Sequence, residues 1–341
     1  MLRNIIDLRS DTVTRPTPAM LEAMQAAKVG DDVFNEDPTI IALEEKTAAL
    51  FGKESGVFCP SGTMTNQIAI KVHTQPGDEV LCEQTCHIYN FEGGGISFNS
   101  GAQAKLLAGD RGRMNAVQVE ESINPAFDWL TRTSLVSIEN TCNRSGGSYY
   151  SLDGMKSIAA VCKKHGLKYH LDGARIFNAI VETGYAPKEV GSLFDSVSVC
   201  LSKGLGAPVG SVLLGDHEFI RKARRVRKVF GGGMRQAGYL AAAGIYALDH
   251  HVTRLKEDHK RAKELAACLQ KLPFVESILP VDTNIIIFTM NDTMKSDQLV
   301  AKLKEKDIIS SGFGKQTIRF VTHLDFTDEM LSRTMAALHS M

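Results

Sequence analysis

Two stretches of this chain, KYHLDGAR (168–175) and SVCLSKGLG (198–206), each run from apolar residues into a polar side chain and then glycine. The polar side chains are Asp172 and Lys203, which lie about 30 residues apart, roughly the length of one strand–helix–strand unit. Alternate residues of a strand share a face, so His170 and Asp172 point to the same side. The pattern predicts neighbouring parallel strands, whose carboxyl ends are where α/β sheets place their functional sites.

Short apolar runs of the same kind recur on both sides of this pair, separated by helix-like stretches. Strands that alternate with helices indicate an α/β fold, and continuous apolar runs are typical of strands covered on both faces. We therefore predict a mostly parallel sheet flanked by helices. The predicted strands are 79–82, 104–107, 135–138, 167–171, 197–201 and 212–214, and the predicted helices are 63–72, 152–164 and 216–228.

The pattern changes after residue 245. Apolar or small residues recur at helical spacing over 252–271, and strand-like segments at 274–279, 284–289 and 318–322 are interspersed with helices near 296–305 and 327–339. This predicts a smaller α+β domain. We assign residues 1–245 to a large domain, with segment 1–15 contributing to the functional site, and residues 246–341 to the small domain.

Charge balance and cysteine usage narrow the function classes. The 341 residues include 39 Lys+Arg and 39 Asp+Glu, so the formal net charge is zero, which argues against a nucleic-acid-binding protein. The seven cysteines are odd in number and form no C-x-x-C pair, which favours a reducing compartment over a disulfide framework or a zinc site. We find no apolar stretch of transmembrane length and no signal-peptide pattern, and we expect a cytoplasmic protein.

Lys203, Asp172 and the turn Ser61-Gly62-Thr63 match the needs of one cofactor, pyridoxal 5′-phosphate. A lysine at the end of an apolar strand is a candidate amine for the cofactor's aldehyde, because a desolvated amine is a better nucleophile. A carboxylate opposite the ring nitrogen keeps that nitrogen protonated, and N–H groups at a helix N-terminus bind phosphate. Each feature alone has an ordinary structural explanation. Their order along successive αβ units predicts a vitamin-B6 enzyme acting on an amino acid.

Longer motifs carry a resemblance to a known family. The segments are DLRSDTVTRPT (7–17), VGDDVFNEDPT (29–39), SGTMTNQ (61–67), LDGARIFNA (171–179), CLSKGLGAPVGS (200–211), GGGMRQAG (231–238), AAAGIYAL (241–248) and RFVTHLD (319–325). Together they resemble the L-threonine aldolase family, whose members have the aspartate-aminotransferase-like fold type I of pyridoxal-phosphate enzymes. The resemblance implies cleavage of L-threonine, L-allo-threonine or a related β-hydroxy-α-amino acid to glycine and an aldehyde.

The resemblance also implies roles for residues at matching positions. Lys203 would hold the cofactor as a Schiff base, and Asp172 would pair with the ring nitrogen. The phosphate would bind at Ser61, Gly62 and Thr63. His87 would stack on the ring and is the candidate base, directly or through water. Ser10, Arg175 and Arg319 would bind the substrate carboxylate, and Glu92, near His87, would also contact the substrate. Arg175 would contact the cofactor as well, and Lys228 and Arg235 would reach a cofactor site at a subunit interface.

Two departures from the family pattern concern substrate preference. The chain has Cys142 in NTCN (140–143), where family members often have histidine, and Trp129 at about the position of a second histidine. Such residues line the side-chain end of the pocket, so the preference between threonine and allo-threonine stays open, as does room for bulkier substituents. The resemblance further implies a homo-oligomer with an active site built across a dimer, and a homotetramer is expected.

Three alternatives remain at this stage. The same scaffold supports β-eliminating lyases and amino-acid racemases, because the outcome depends on which Cα bond is aligned. The H-x-D pair of His170 and Asp172 is part of a metal-dependent oxygenase triad, although those sites usually lie in all-β barrels. A non-catalytic interaction protein that kept the scaffold is the third. No metal is expected under the favoured interpretation.

Overall fold

The computed structural model describes residues 5–341, so the first four residues of the predicted 1–15 segment lie outside the described residues. The helices are α1 Pro18–Gln25, α2 Pro38–Phe51, α3 Gly62–His73, α4 His87–Asn90, α5 Gly95–Ser100, α6 Ala116–Ser122, α7 Leu152–His165, α8 Ile176–Thr183, α9 Pro187–Gly191, α10 His217–Val229, α11 Gly238–His250, α12 Leu255–Leu269, α13 Ser296–Glu305 and α14 Asp328–His339. Within residues 5–341, no helix is both long enough and apolar enough to cross a bilayer.

The strands form one large sheet, one small sheet and an isolated pair. Their bounds are β1 Ile6–Asp7, β2 Ser55–Cys59, β3 Asp78–Glu83, β4 Gln103–Leu107, β5 Arg132–Glu139, β6 Lys168–Gly173, β7 Ser196–Cys200, β8 Ser211–Gly215, β9 Val275–Ile278, β10 Ile285–Met290, β11 Ile308–Ile309, β12 Ser311–Gly314 and β13 Thr317–Val321. The large sheet has the order β2-β8-β7-β6-β5-β3-β4, in which only β8 runs antiparallel to its neighbours. The predicted mostly parallel α/β sheet is confirmed.

The large sheet is covered on both faces, as its apolar strands predict. Strands β3, β7 and β8 are buried along their whole length, and helix α10 turns Phe219, Ile220 and Ala223 inward while most of its basic residues face outward. Strand β6 ends at Gly173, where a Cβ would lie only 2.5 Å from the carbonyl oxygen of Ser198. Glycine therefore lets β6 and β7 run close together up to the ends that carry Asp172 and Lys203.

The C-terminal part forms a second core around the small antiparallel sheet, ordered β12-β13-β10-β9. This core also includes Ile6 and Leu8, because β1 pairs in parallel with β11 and the Val321 N–H donates to the Leu8 carbonyl at 2.9 Å. The N-terminal strand thus packs with the small sheet, while the residues after it reach the large one. We keep the division at residue 245 as a proposal, and it falls inside helix α11.

Candidate active site

A cavity of about 280 Å³ opens at the carboxyl edge of the large sheet. It brings together six of the residues predicted from the sequence: Ser61, Gly62, Thr63, His87, Asp172 and Lys203. It also adds six that the sequence analysis missed: Thr12, Asn66, Ala174, Cys200, Ser202 and Pro208. Several of these flank a predicted residue in the chain, but nothing in the sequence indicates that Thr12 and Asn66 face the same cavity.

Lys203 sits in the turn that follows β7, with its backbone fixed from two directions. Its carbonyl oxygen accepts hydrogen bonds from Thr14 Oγ1 and from the Gly206 N–H, both at 2.8 Å. The side chain is half-buried and lines the cavity. The lysine is thus less enclosed than the apolar strand before it suggests, and its amine faces the space that a ligand would fill.

Asp172 ends β6 and is buried at the floor of the site. Its Oδ1 accepts the Ala174 N–H at 3.1 Å, and its Oδ2 accepts Asn66 Nδ2 at 3.0 Å. Hydrogen bonds from N–H donors stabilise the charged form of a carboxylate. The arrangement therefore holds a negative charge at one side of the cavity.

His87 begins the short helix α4 and is oriented by Glu92. Its Nδ1 lies 2.9 Å from Glu92 Oε1, and the carboxylate of Glu92 also accepts hydrogen bonds from Asn66 and Gln67. Burial alone would lower the pKa of His87, but the Glu92 hydrogen bond and the charges of Asp172 and Glu92 outweigh it and raise that pKa. Because Glu92 is buried and does not line the cavity, we propose that it positions His87, in place of the predicted contact with substrate.

Glu139 is a buried carboxyl group that the sequence analysis missed. It ends β5, and its two oxygens accept the backbone N–H groups of His87 at 2.8 Å and Asn143 at 2.9 Å. Burial, together with the nearby charge of Asp172, raises the pKa of Glu139 to about 7. The only available signal was an acidic residue at the end of a predicted strand, next to strands that carry the site.

Arg175 makes a buried, bidentate ion pair with Asp11. Arg175 Nε and Nη2 lie 2.8 and 2.7 Å from the two oxygens of Asp11. Burial opposes both charges, yet the pairing lowers the pKa of Asp11 and raises that of Arg175. The predicted substrate contact of Arg175 stays a prediction, and Nη1 is the guanidinium nitrogen that Asp11 does not use.

Arg319 reaches the same region from the small sheet. Its Nη1 donates to Asn143 Oδ1 at 2.8 Å and its Nη2 to the Arg9 carbonyl at 2.9 Å. Burial and the neighbouring charge of Arg175 lower the pKa of Arg319 to about 10, so it is still charged at neutral pH. Ser10 lies beside this contact, where its Oγ accepts the Thr12 N–H at 3.2 Å.

Aromatic rings surround a further arginine beside Arg319. The guanidinium of Arg144 lies 5.6 Å from the ring centre of Phe91 and 4.3 Å from that of Phe313, and Arg319 lies 4.6 Å from Phe313. The Phe91 ring is in turn 5.6 Å from His87. This stack connects the large-sheet side of the site to the small sheet.

Like Ser10, Glu92, Arg175 and Arg319, four other predicted residues do not line this cavity within one chain. Arg235 is exposed and pairs with Asp31 at 3.0 Å, and Lys228 lines a separate basic cavity of about 570 Å³. Trp129 is 77% exposed and stacks on Phe127, and Cys142 is buried with its Sγ near the carbonyl oxygens of Gly112 and Glu139. The predicted roles of Lys228 and Arg235 at an interface stay predictions. Neither Trp129 nor Cys142 lines the cavity in the single chain, so their predicted place at its side-chain end is not seen here.

The metal-oxygenase alternative does not suit the surroundings of His170. Its Nδ1 contacts Ser196 Oγ at 2.8 Å and its Nε2 contacts Asn66 Oδ1 at 3.1 Å. Both ring nitrogens thus have protein partners, and the strand lies in a parallel sheet rather than an all-β barrel. The H-x-D pair is therefore part of a hydrogen-bond network and not a metal triad.

The chain is similar to known proteins both in sequence and in fold. Residues 7–293 match the family described as beta-eliminating lyase. Low-specificity L-threonine aldolase 1 of Arabidopsis thaliana is 42% identical over 98% of this chain and 96% of its own length. The low specificity L-threonine aldolase of Escherichia coli K12 is 42% identical over 97% of this chain and 98% of its own. The solved structure of Leishmania major threonine aldolase has a TM-score of 0.86 at 21% identity, covering 98% of this chain and 99% of that one.

Proposed function

Because this chain belongs to the L-threonine aldolase family, within the beta-eliminating lyases, we propose that it cleaves L-threonine and L-allo-threonine to glycine and acetaldehyde. It is a carbon–carbon lyase with the fold of that family. The observation that supports the proposal most strongly is that Lys203, Asp172 and the first turn of α3 line one cavity.

The groups that line the cavity fit pyridoxal 5′-phosphate. The amine of Lys203 suits its aldehyde, and the carboxylate of Asp172 suits its ring nitrogen. The N–H groups of Gly62 and Thr63 lie in the first turn of α3, where they have no intrahelical acceptor, and they suit its phosphate. When bound, the cofactor supplies an electron sink for the Cα–Cβ bond that breaks.

We propose that Arg175 and Arg319 hold the substrate carboxylate. Burial lowers the pKa of Arg319 most, and the charge of the nearby Arg175 lowers it further. Two guanidinium groups this close repel one another, and an anionic carboxylate between them relieves that repulsion. Ser10, next to Arg319's contact with Arg9, would add a hydrogen bond. Fixing the carboxylate fixes which Cα bond is aligned for cleavage.

His87 is the group that would take the proton from the substrate's β-hydroxyl. Glu92 accepts a hydrogen bond from Nδ1, which leaves the lone pair of a neutral imidazole on Nε2. A base must be within hydrogen-bond reach of the proton that it removes. His87 lines the cavity beside Asp172 and Lys203, as that role requires.

Assembly and location extend the proposal. Lys228 and Arg235 lie outside the Lys203 cavity of their own chain, and we propose that they serve a site formed with a second copy, within a homotetramer. All seven cysteines are free and buried thiols, which supports the expected cytoplasmic location.

The experiment is an assay of the purified protein after addition of pyridoxal 5′-phosphate. Glycine and acetaldehyde should form in equal amounts from L-threonine and from L-allo-threonine, and the corresponding D-amino acids should give none. Release of a keto acid and ammonia would instead favour the β-eliminating lyase. Interconversion of L- and D-amino acids without an aldehyde would favour the racemase.

Changing Glu92 to glutamine is expected to move the acidic limb of kcat/KM to lower pH. A base works when deprotonated, so the rate rises with pH through the pKa of His87, which Glu92 holds up against the effect of burial. Glutamine keeps an acceptor for Nδ1 but removes the charge. The weaker base should lower the plateau by less than about tenfold. The measurement is the pH dependence of kcat/KM for L-threonine.

The control for this experiment is Glu83→Gln. It neutralises another buried carboxylate, which bonds to Thr85 and not to His87, and it should leave the acidic limb in place. If Glu92→Gln leaves the limb unmoved or shifts it to higher pH, His87 is not the base.

A further inference from the structure

A continuous chain of hydrogen bonds runs from Asp172 through the sheet to helix α3. Asn66 Nδ2 donates to Asp172 Oδ2, and Asn66 Oδ1 lies 3.1 Å from His170 Nε2. His170 Nδ1 lies 2.8 Å from Ser196 Oγ, which is also 2.8 Å from His73 Nε2. Asp172 and Asn66 line the cavity, whereas His170, Ser196 and His73 do not.

The orientation of Asn66 fixes the direction of every hydrogen bond in the chain. Its amide faces two carboxylates, Asp172 at 3.0 Å and Glu92 at 2.9 Å, so the NH₂ group must point at them. A flipped amide would place its oxygen against two carboxylate oxygens, with no proton between them. The amide oxygen therefore points at His170, and since it can only accept, His170 Nε2 must carry a proton.

The remaining protons follow from His170. Burial lowers the pKa of His170 to about 3, so the ring is neutral with its single proton on Nε2. Its Nδ1 then accepts the Ser196 hydroxyl proton. Burial lowers the pKa of His73 to about 4, so this ring is also neutral. Because the Ser196 hydroxyl has given its only proton to His170, it accepts from the Nε2–H of His73. His73 is held in place by stacking on Phe219 at 4.6 Å.

We propose that His170, Ser196 and His73 are positioning residues that lock the Asn66 amide with both N–H bonds directed at Asp172 and Glu92. The chain acts in one direction, because each member donates towards the cavity. One N–H of Asn66 stabilises the charge of Asp172. The other stabilises the carboxylate of Glu92, which orients His87. None of the three touches the space in which a substrate or cofactor would lie.

A consequence for the cofactor rests on the proposed function. If Asp172 pairs with the ring nitrogen, the locked amide helps Asp172 to keep that nitrogen protonated. The other charged or titratable groups near Asp172 are His87, Glu92, Glu139 and Lys203. Without the donor on His170, the Asn66 oxygen loses its partner and the amide is held less firmly against Asp172. The cofactor's ring would then carry less positive charge. The nitrogen through which Lys203 holds the cofactor would keep its proton to higher pH.

The test is an absorbance titration of the protein loaded with pyridoxal 5′-phosphate. His170→Asn removes the donor at the Nε2 position, and the midpoint of the pH-dependent absorbance change should rise by about one pH unit. The dissociation constant of the cofactor should rise about tenfold. His170→Gln can place an amide N–H near the former Nε2, and it should restore most of both values. Ser196→Ala should shift the midpoint in the same direction by a smaller amount, and Ser196→Thr should not.

The matched control is His259→Asn. His259 is also buried, and its Nε2 contacts an asparagine oxygen, Asn178 Oδ1, at 3.0 Å, but that asparagine does not bond to a carboxylate of the cavity. The midpoint of the absorbance change in His259→Asn should equal that of the unaltered protein. An unmoved midpoint in both His170→Asn and Ser196→Ala overturns the inference, and so does a His170→Gln variant that behaves like His170→Asn. If the unaltered protein shows no absorbance change with the cofactor, the proposed function fails instead.

Discussion

Replacing Lys203 by alanine is expected to lower kcat/KM for L-threonine cleavage by at least about 10⁴-fold. Among the described residues that line the cavity, Lys203 is the only lysine, so its removal leaves no amine to bind the cofactor's aldehyde. The variant should also lose the absorbance of the covalently bound cofactor. Borohydride should attach the cofactor to a peptide containing Lys203 in the unaltered protein and to no peptide in the variant.

The control is Lys168→Ala. Lys168 lies at the opposite end of β6 from Asp172 and forms an exposed ion pair with Asp195 at 2.9 Å, so its loss should change kcat/KM by less than about twofold. Added methylamine should restore part of the activity of Lys203→Ala, because a free amine can replace the missing side chain. A Lys203→Ala protein that keeps both its colour and its activity would show that another residue binds the cofactor.

Replacing Asp11 by alanine is expected to lower the free energy of unfolding by about 3–5 kcal/mol. The change leaves the Arg175 guanidinium buried without the carboxylate that holds Nε and Nη2, and breaking a buried pair costs more than the pair contributes. It also removes an acceptor for Asn284 Nδ2, 3.4 Å away at the end of the small sheet. The measurement is urea unfolding of the protein with and without the cofactor.

A double variant separates the stability of this pair from its role in binding. Asp11→Leu with Arg175→Met replaces both charges by apolar side chains of similar size, and most of the lost stability should return. KM for L-threonine should rise above that of the unaltered protein, because Arg175, one of the two arginines proposed to hold the substrate carboxylate, has been removed. If the double variant keeps the KM of the unaltered protein, Arg175 does not bind the substrate. If the single variant unfolds like the unaltered protein, the ion pair does not stabilise the fold.

Much of the fold was predictable because the inner strands have one simple pattern. Strands covered on both faces must be apolar throughout, so all six predicted strands of the large sheet are confirmed within a few residues. Strand β2 was missed because Ser55 and Gly56 at its start do not indicate a strand. Helices α1, α2 and α11 were also missed, and the long apolar run of α11 gives no clear helical stripe.

The site was predictable where a residue directly follows a strand and unpredictable where a contact crosses the chain. Lys203 and Asp172 end adjacent strands, which sequence spacing can indicate. The partnership of Asp11 with Arg175 joins residues 164 positions apart, and the bonds of Asn66 to Asp172 and Glu92 depend on how α3 packs on the sheet. The family resemblance indicated Arg175 and Glu92, but only the packing shows which groups form hydrogen bonds with their side chains.

The pairing of β1 with β11 has a consequence for the order in which the protein is made. During synthesis, Asp172 and Lys203 emerge from the ribosome well before Ile308, which is the partner of Ile6. Arg319 emerges later still. The large sheet can therefore begin to fold during synthesis while the N-terminal strand waits for its partner. A chain that stops before β11 would contain Lys203 and Asp172 without Arg319, one of the two arginines that we propose hold the substrate carboxylate. Such fragments should be inert towards threonine, so we expect the growing polypeptide to turn over no substrate until it is nearly complete.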